Sequence, residues 1–222
     1  MYSTIQKKEP THEQYTKYQE LYNYFNQQLF NSKLPCIILN FSRKANVAGF
    51  FAPNRWISLQ GKNKTHEISI NPTYIASVEF IEVCQTLVHE QAHLWQMVFG
   101  KPSRSGYHNK EWANKMENIG LMPSSTGQEG GKKVGQKMSD YVIKGGKFEK
   151  AFVDLPKDLT LPWISNEFDS VVSNDEDGSD PKPPKIKSKI KYSCPGCTLN
   201  VWGKPNIKVY CKSCESYLEP IE

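Results

Sequence analysis

Apolar residues recur at three- and four-residue intervals in three stretches of the chain and crowd into short β-rich runs in others. These two patterns partition it into helices and strands. In "EQYTKYQELYNYFNQQLFNSKLP", Tyr18, Leu21, Tyr22, Phe25 and Leu29 share one helical face that stops before Pro35, which predicts a first helix. "CIILNF", "NVAGFFA", "RWISLQ" and "HEISIN" follow as short runs separated by turn residues, predicting a small sheet of about four strands. From about Ser77 to Phe99, Phe80, Cys84, Leu87, Leu94 and Val98 keep one stripe, and Gly100 with Pro102 ends a second helix. A third helix opens at His108 with Trp112, Met116 and Ile119 inward. Helices on a small, mainly antiparallel sheet give an α+β class.

Composition adds boundaries. A chain of 222 residues with 38% hydrophobic content suits one packed domain plus a smaller appendage. No stretch approaches the roughly 18 apolar residues of a membrane span, and "MYSTIQKKEPTHEQ" has no apolar core of a secretory signal. The expected compartment is the cytoplasm, or the nucleoid within it, with no membrane partner and reduced cysteines. Residues 1–181 carry 20 basic and 20 acidic side chains and residues 182–222 carry 8 and 3, so the whole net charge of +5 lies in the last segment. Between them "SNDEDGSDPKPPKIKSKIK", from about Asn174 to Lys191, has almost nothing to bury and reads as a solvated linker. The expected organisation is a domain over 1–165, a linker over 166–191 and a small module over 192–222.

The second helix carries the first chemistry. In "LVHEQAHLWQ", His89 and His93 lie four residues apart, on one helical face, so both can offer a ring nitrogen to one ion. Glu90, one step around, is placed to act as general base on an attacking water. A catalytic zinc takes three protein ligands. Of the five histidines, His12 and His66 lie in polar contexts ahead of the motif, whereas His108 falls one turn before Trp112 on the inward face. His108 is the favoured third ligand, with Glu111 and Glu117 as rivals on a face that otherwise reads as solvated. Position 99, where an extended HExxHxxGxxH motif would need its third histidine, is Phe99.

The second cluster is Cys194-Pro-Gly-Cys197 and Cys211-Lys-Ser-Cys214. Two CxxC pairs at this spacing make a tetrathiolate zinc site, structural because all four positions are filled. Flanking "NVWG" and "NIKVY" supply hairpin strands of a β zinc ribbon too small to fold on its own apolar core. Cys36 and Cys84, in apolar contexts, read as core residues. Lysines interleave with aromatics here. Lys189, Lys191, Trp202, Lys204, Lys208 and Tyr210 are the candidate nucleic-acid contacts, with Tyr192 and Tyr217 beside them.

"LYNYFNQQLF", "RKANVAGFFA", "ISINP", "TLVHEQAHLWQ" and "GYHNKEWANKM" together resemble the SprT-like metallopeptidases, a family that includes DNA–protein crosslink proteases. The resemblance covers about residues 15–165. It implies a zincin-like core with His89, His93 and His108 on a catalytic zinc, Glu90 as base, a C-terminal ribbon with a second zinc, protein substrates and association with DNA, single-stranded or as protein–DNA complexes. The family often has glycine after the third histidine, where this chain has Asn109. Arg104, Tyr107 and Tyr141 are candidate oxyanion stabilisers, and a monomer is favoured. The alternatives are a nucleic-acid-binding adaptor with a catalytically silent core, and a peptidase with a dedicated target unrelated to DNA.

Overall fold

The computed structural model describes residues 9–45, 47–166, 190–203 and 207–221, with the backbone alone at 190 and 221. The chain divides into two units, residues 1–174 and 175–222. Among the described residues no helix is long and apolar enough to cross a membrane.

The first unit opens with α1, Pro10–Phe30, started by a proline and stopped by Asn31 in the left-handed conformation (φ 55°). Its buried face holds the predicted stripe of Tyr18, Leu21, Tyr22, Phe25 and Leu29. The Asn26 side chain donates to Leu34 O and accepts from Leu34 N–H, at 3.1 and 3.0 Å, which folds the chain back towards the sheet. The strands are β1 (Ile38–Phe41), β2 (Gly49–Ile57) and β3 (Lys64–Ile70), in the order β1-β3-β2. β1 runs parallel to β3, and β2 runs antiparallel to it.

Two of the four predicted strands are therefore one. "Pro-Asn" between Phe51 and Trp56 reads as a turn in sequence, but it forms a bulge: Ala52 pairs with Glu67 and Trp56 with Thr65, so three residues oppose His66 alone. Asn54 takes φ 51° there, and its N–H donates to His66 Nδ1 at 3.0 Å. Burial lowers the His66 pKa, keeping that nitrogen free to accept.

After the short α2 (Pro72–Ile75), α3 spans Phe80–Phe99. It starts three residues later than the periodicity suggests, because Glu79 and Glu82 form a capping box. Phe80, Cys84, Leu87 and Leu94 pack inward, but Val98 is exposed: the stripe ends one turn early. Gln91, fully buried, donates to Tyr22 O at 2.9 Å and ties α3 to α1. α4 covers Lys110–Ile119, so His108 precedes the helix instead of opening it. Asn109 is the N-cap, its side chain accepting from Trp112 N–H at 3.0 Å. β4 (Leu121–Ser124) and β5 (Ser139–Val142) form an antiparallel pair, and α5 (Lys147–Val153) closes the core with Phe148 stacked on Phe25. Cys84 is buried as expected, whereas Cys36, just ahead of β1, is exposed although Leu34 and Ile37 on either side of it pack on the core.

The second unit contains β6 (Ile190–Ser193), β7 (Asn200–Gly203), β8 (Tyr210–Cys211), β9 (Ser216–Tyr217) and β10 (Glu219–Ile221). These form a three-stranded sheet, β10-β6-β7, and a two-stranded pair, β8-β9. Among its described residues the buried core consists of Tyr192, Cys194, Cys211 and Leu218.

Gly120 ends α4 with φ 95°, and a Cβ there would meet the Phe148 and Lys147 amide nitrogens at 2.6 and 2.7 Å. The left-handed conformation alone costs an L-residue about 1–2 kcal/mol. Gly120→Ala is expected to destabilise the first unit by more than that, read as a lower denaturant midpoint at unchanged slope.

Candidate metal centre

His89 and His93 stand on one face of α3, and the loop after it returns His108 to them. One ligand nitrogen from each of the three lies within 4.8 Å of the others, and His93 Nε2 and His108 Nε2 are 3.0 Å apart. Ligands about 2.0–2.1 Å from a tetrahedral ion stand roughly 3.3–3.4 Å from one another. A few tenths of an ångström of opening fits the pair to an ion.

Partners behind the rings select which nitrogen faces inward. His89 Nδ1–H donates to Asp140 Oδ1 at 2.8 Å, and His108 Nδ1–H to the Gly135 carbonyl at 3.3 Å. Both leave Nε2 as the ligand atom. Gly135 O also accepts the His108 amide at 2.8 Å, and Gly135 N–H returns a bond to His108 O at 3.1 Å. His108 is thus held by a backbone bridge. Asp140, on β5, is buried, and its Oδ2 is without a partner among the described residues.

The protonation balance suits a cation. Burial, reinforced by the charges of His89 and His108, holds His93 well below the usual imidazole value. Burial and His89 lower His108 to about 4. Both rings are neutral at physiological pH, as ligation requires. For His89 burial is the largest influence and acts downward, but the Asp140 hydrogen bond and the charges of Glu90 and Asp140 together raise it. The Glu90 carboxyl is 7% exposed and its pKa is raised by burial, against the opposing pull of His89 and a hydrogen bond from the Phe51 amide. This carboxylate lies beside the imidazole cluster, aimed at a strand edge.

The centre opens into a cleft of about 1090 Å³. Of the proposed oxyanion stabilisers, Arg104 and Tyr107 line it, the guanidinium 5.5 Å from the Tyr107 ring centre. Tyr141 lies outside the lining, on the β5 position that pairs with Met122. Tyr74, which sequence reasoning passed over, lines the cleft, and burial raises its phenol so that it remains a donor. The rival ligands are occupied elsewhere. Glu111 accepts from Lys101 N–H and Gln96 Nε2 at 2.7 and 2.8 Å, which lowers its pKa. Glu117 pairs with Lys133 at 3.1 Å. His12 is exposed on α1.

In the second unit the four sulfurs of Cys194, Cys197, Cys211 and Cys214 lie within 4.8 Å of one another, with Cys197 and Cys211 at 3.8 Å. Tetrahedral thiolates at about 2.3 Å from an ion stand roughly 3.8 Å apart. All are free thiols. The Ser216 hydroxyl, followed by nearby amides, lowers Cys194 to about 6, while Cys214, hydrogen-bonded to Cys197 and Cys194, is raised to about 12. One thiolate forms readily and a neighbour resists deprotonation, a balance that a bound cation would shift towards thiolates.

Of the candidate nucleic-acid contacts, Lys189 and Lys204 lie outside the described residues. Trp202, Lys208 and Tyr210 are exposed, and half-buried Lys191 pairs directly with Trp202 across β6 and β7. Tyr217 is also exposed, its ring 5.2 Å from that of Tyr210. Tyr192 is 3% exposed and belongs to the ribbon's core instead, because the strand alternation turns it inward.

Asp140 was missed in the sequence because it lies 51 residues from the histidine it orients. Its one local sign is a carboxylate on the inward face of a short strand. Removing such a partner typically weakens metal affinity by roughly 10–100-fold. Asp140→Ala is expected to show that loss at the histidine site in chelator competition, with Asp140→Asn, which keeps an acceptor, losing less.

No curated protein matches the chain. The model of the SprT-like family matches residues 18–130, just over half of the sequence and the part that contains His89, Glu90, His93 and His108. The chain belongs to the SprT-like family.

Proposed function

We propose that the protein is a zinc-dependent metallopeptidase with a zincin-like core, hydrolysing peptide bonds of protein substrates. The observation that carries this reading is the buried Glu90 carboxylate beside three convergent imidazoles at an open cleft. A merely structural site has no need of a base beside its ligands. Zinc, held by His89, His93 and His108, supplies when bound a Lewis acid that polarises the scissile carbonyl and lowers the pKa of water. Glu90 takes the proton of the attacking water and passes it to the leaving amine; its raised pKa suits both directions of transfer. Asp140 and Gly135 hold two rings in the ligating tautomer. Arg104, Tyr107 and Tyr74 are the cleft donors available to the developing oxyanion. The four cysteines would hold a second, structural zinc with no position left for substrate.

The substrates are proposed to be DNA-associated. Support comes from the net charge of +5, concentrated in the last 41 residues, and from exposed Trp202, Lys208 and Tyr210 on the ribbon, where lysines suit phosphates and rings suit unpaired bases.

Digestion of casein and histones by wild type and Glu90→Gln, with and without single-stranded DNA, tests both parts. Elemental analysis is expected to find two zinc ions in each protein. Wild type alone should cleave, with a loss of at least ~100-fold in the variant, and DNA should stimulate cleavage. Full zinc loading and DNA binding without Glu90-dependent cleavage would favour the adaptor reading.

A further inference from the structure

We propose that the tip of the β2–β3 hairpin is a docking surface for an unfolded polypeptide segment rich in apolar and acidic residues. It would lie several residues from the bond presented to Glu90. The proposal rests on the peptidase reading and names the class of substrate.

The strand that passes the metal centre also forms this tip. β2 pairs with β3 on one side only. Ala48 O accepts from Asn71 N–H, and antiparallel alternation then directs the Phe51 N–H off the other side, where it bonds Glu90. Gly49, Phe50, Phe51 and Pro53 line the cleft. An extended chain laid along this edge can gain backbone hydrogen bonds, and its continuation follows β2 past the bulge. Ile57 lies six residues beyond Phe51, at about 3.3 Å per residue roughly 20 Å at most.

The tip is apolar and cationic where hairpin tips are ordinarily polar. Trp56 is 44%, Ile57 57% and Leu59 fully exposed. Arg55, Lys62 and Lys64 are exposed around them, and no acidic residue occurs between Pro53 and His66. Trp56 is not loose. Its Nε1–H donates to Glu67 Oε2 at 2.6 Å, and Ser69 Oγ donates to Glu67 Oε1 at 2.6 Å, so the indole's polar atom is satisfied inward. What faces outward is ring surface, two aliphatic side chains and three cations.

That chemistry selects the occupant. A single-stranded nucleic acid would use the cations and one ring, but Ile57 and Leu59 offer no stacking plane. A polypeptide with aliphatic and acidic side chains uses all of these groups and the strand edge as well. Following β2 from the cleft to the tip takes an extended segment with its backbone unpaired, which an unstructured polypeptide supplies most readily.

The test uses the full chain carrying Glu90→Gln, so that binding is read without cutting. The probe is fluorescently labelled α-lactalbumin, reduced and carboxymethylated, which is unfolded and acidic. Ile57→Ser with Leu59→Ser, and separately Arg55→Ser with Lys62→Ser, are expected to weaken binding at least ~tenfold each, about 1.4 kcal/mol. In the protein that retains Glu90, the same changes should spare cleavage of a hexapeptide too short to reach the tip. Because all four side chains are exposed, the charge pair serves as control if the apolar pair impairs folding. Equal binding by parent and both variants overturns the proposal. Hairpin-dependent binding of a thymidine 20-mer or of anionic vesicles, without hairpin-dependent binding of lactalbumin, also overturns it. Hairpin-dependent lactalbumin binding in a wild-type protein that cleaves nothing sinks the peptidase reading and leaves the docking surface standing.

Discussion

Three imidazoles meet because one indole gives them a common wall. Trp112 is fully buried, and its ring lies 4.8 Å from that of His89, 5.1 Å from His93 and 4.4 Å from His108, stacked on His93 and edge-on to the other two. Neutral imidazoles do not attract one another enough to converge in water, and desolvating them opposes any charge they carry. Packing therefore has to impose the geometry. A large, stiff, buried ring with only two torsions does so at low entropic cost. The ligand set depends on α4 being seated against α3, although α4 contributes no ligand.

What seats α4 is a small polar knot around the connection between the helices. Gln96, 3% exposed on the last turn of α3, donates to both Asn109 Oδ1 and Glu111 Oε2, at 2.7 and 2.8 Å. Asn109 Nδ2 donates to Lys101 O at 3.0 Å, and Lys101 N–H to Glu111. A Cβ at Gly100 would meet the Glu111 carboxylate folded over the helix end, so a larger residue there would displace that carboxylate from Gln96 and Lys101. Each group bonds something that begins or ends a helix, so the loop length and the direction of His108 are set together. Asn109 also supplies the side-chain cap of α4.

The parts of this arrangement legible in the sequence are those with a local period. His89 and His93 are four apart on a helix that announces itself by its apolar stripe, and His108 shares a side with Trp112. The CxxC pairs are equally local. Illegible parts depend on partners distant in sequence: Asp140 behind His89, the Gly135 bridge behind His108 and the Phe51 amide on Glu90. Composition also misleads where one residue has two uses. Pro53-Asn54 looks like the end of a strand because proline lacks a ladder donor and asparagine tolerates positive φ, yet both properties also make a bulge on an edge strand. Val98 sits beyond the last buried turn of α3, where an apolar run in sequence outlasts the surface it packs on, and Cys36 faces out between the core-packed Leu34 and Ile37.

The two ligand clusters stand in opposite relations to the fold around them. The histidine cluster is assembled on a core that includes Trp112, Tyr18, Tyr22, Phe25, Phe148 and most of α3, a buried mass that holds together by apolar packing. A metal ion there adds charge to a geometry already enforced from behind. In the second unit, by contrast, two of the four buried core side chains among the described residues are themselves cysteines. Take away what unites the sulfurs and the remaining apolar side chains, Tyr192 and Leu218 with partly buried Val201 and Val209, are too few to offset the entropy of ordering the strands. The same ion would thus be optional for structure at one site and indispensable at the other. That asymmetry separates the work of the two units, because a site whose scaffold does not need its metal can leave a coordination position open, while a site that needs its metal must spend every position on holding it.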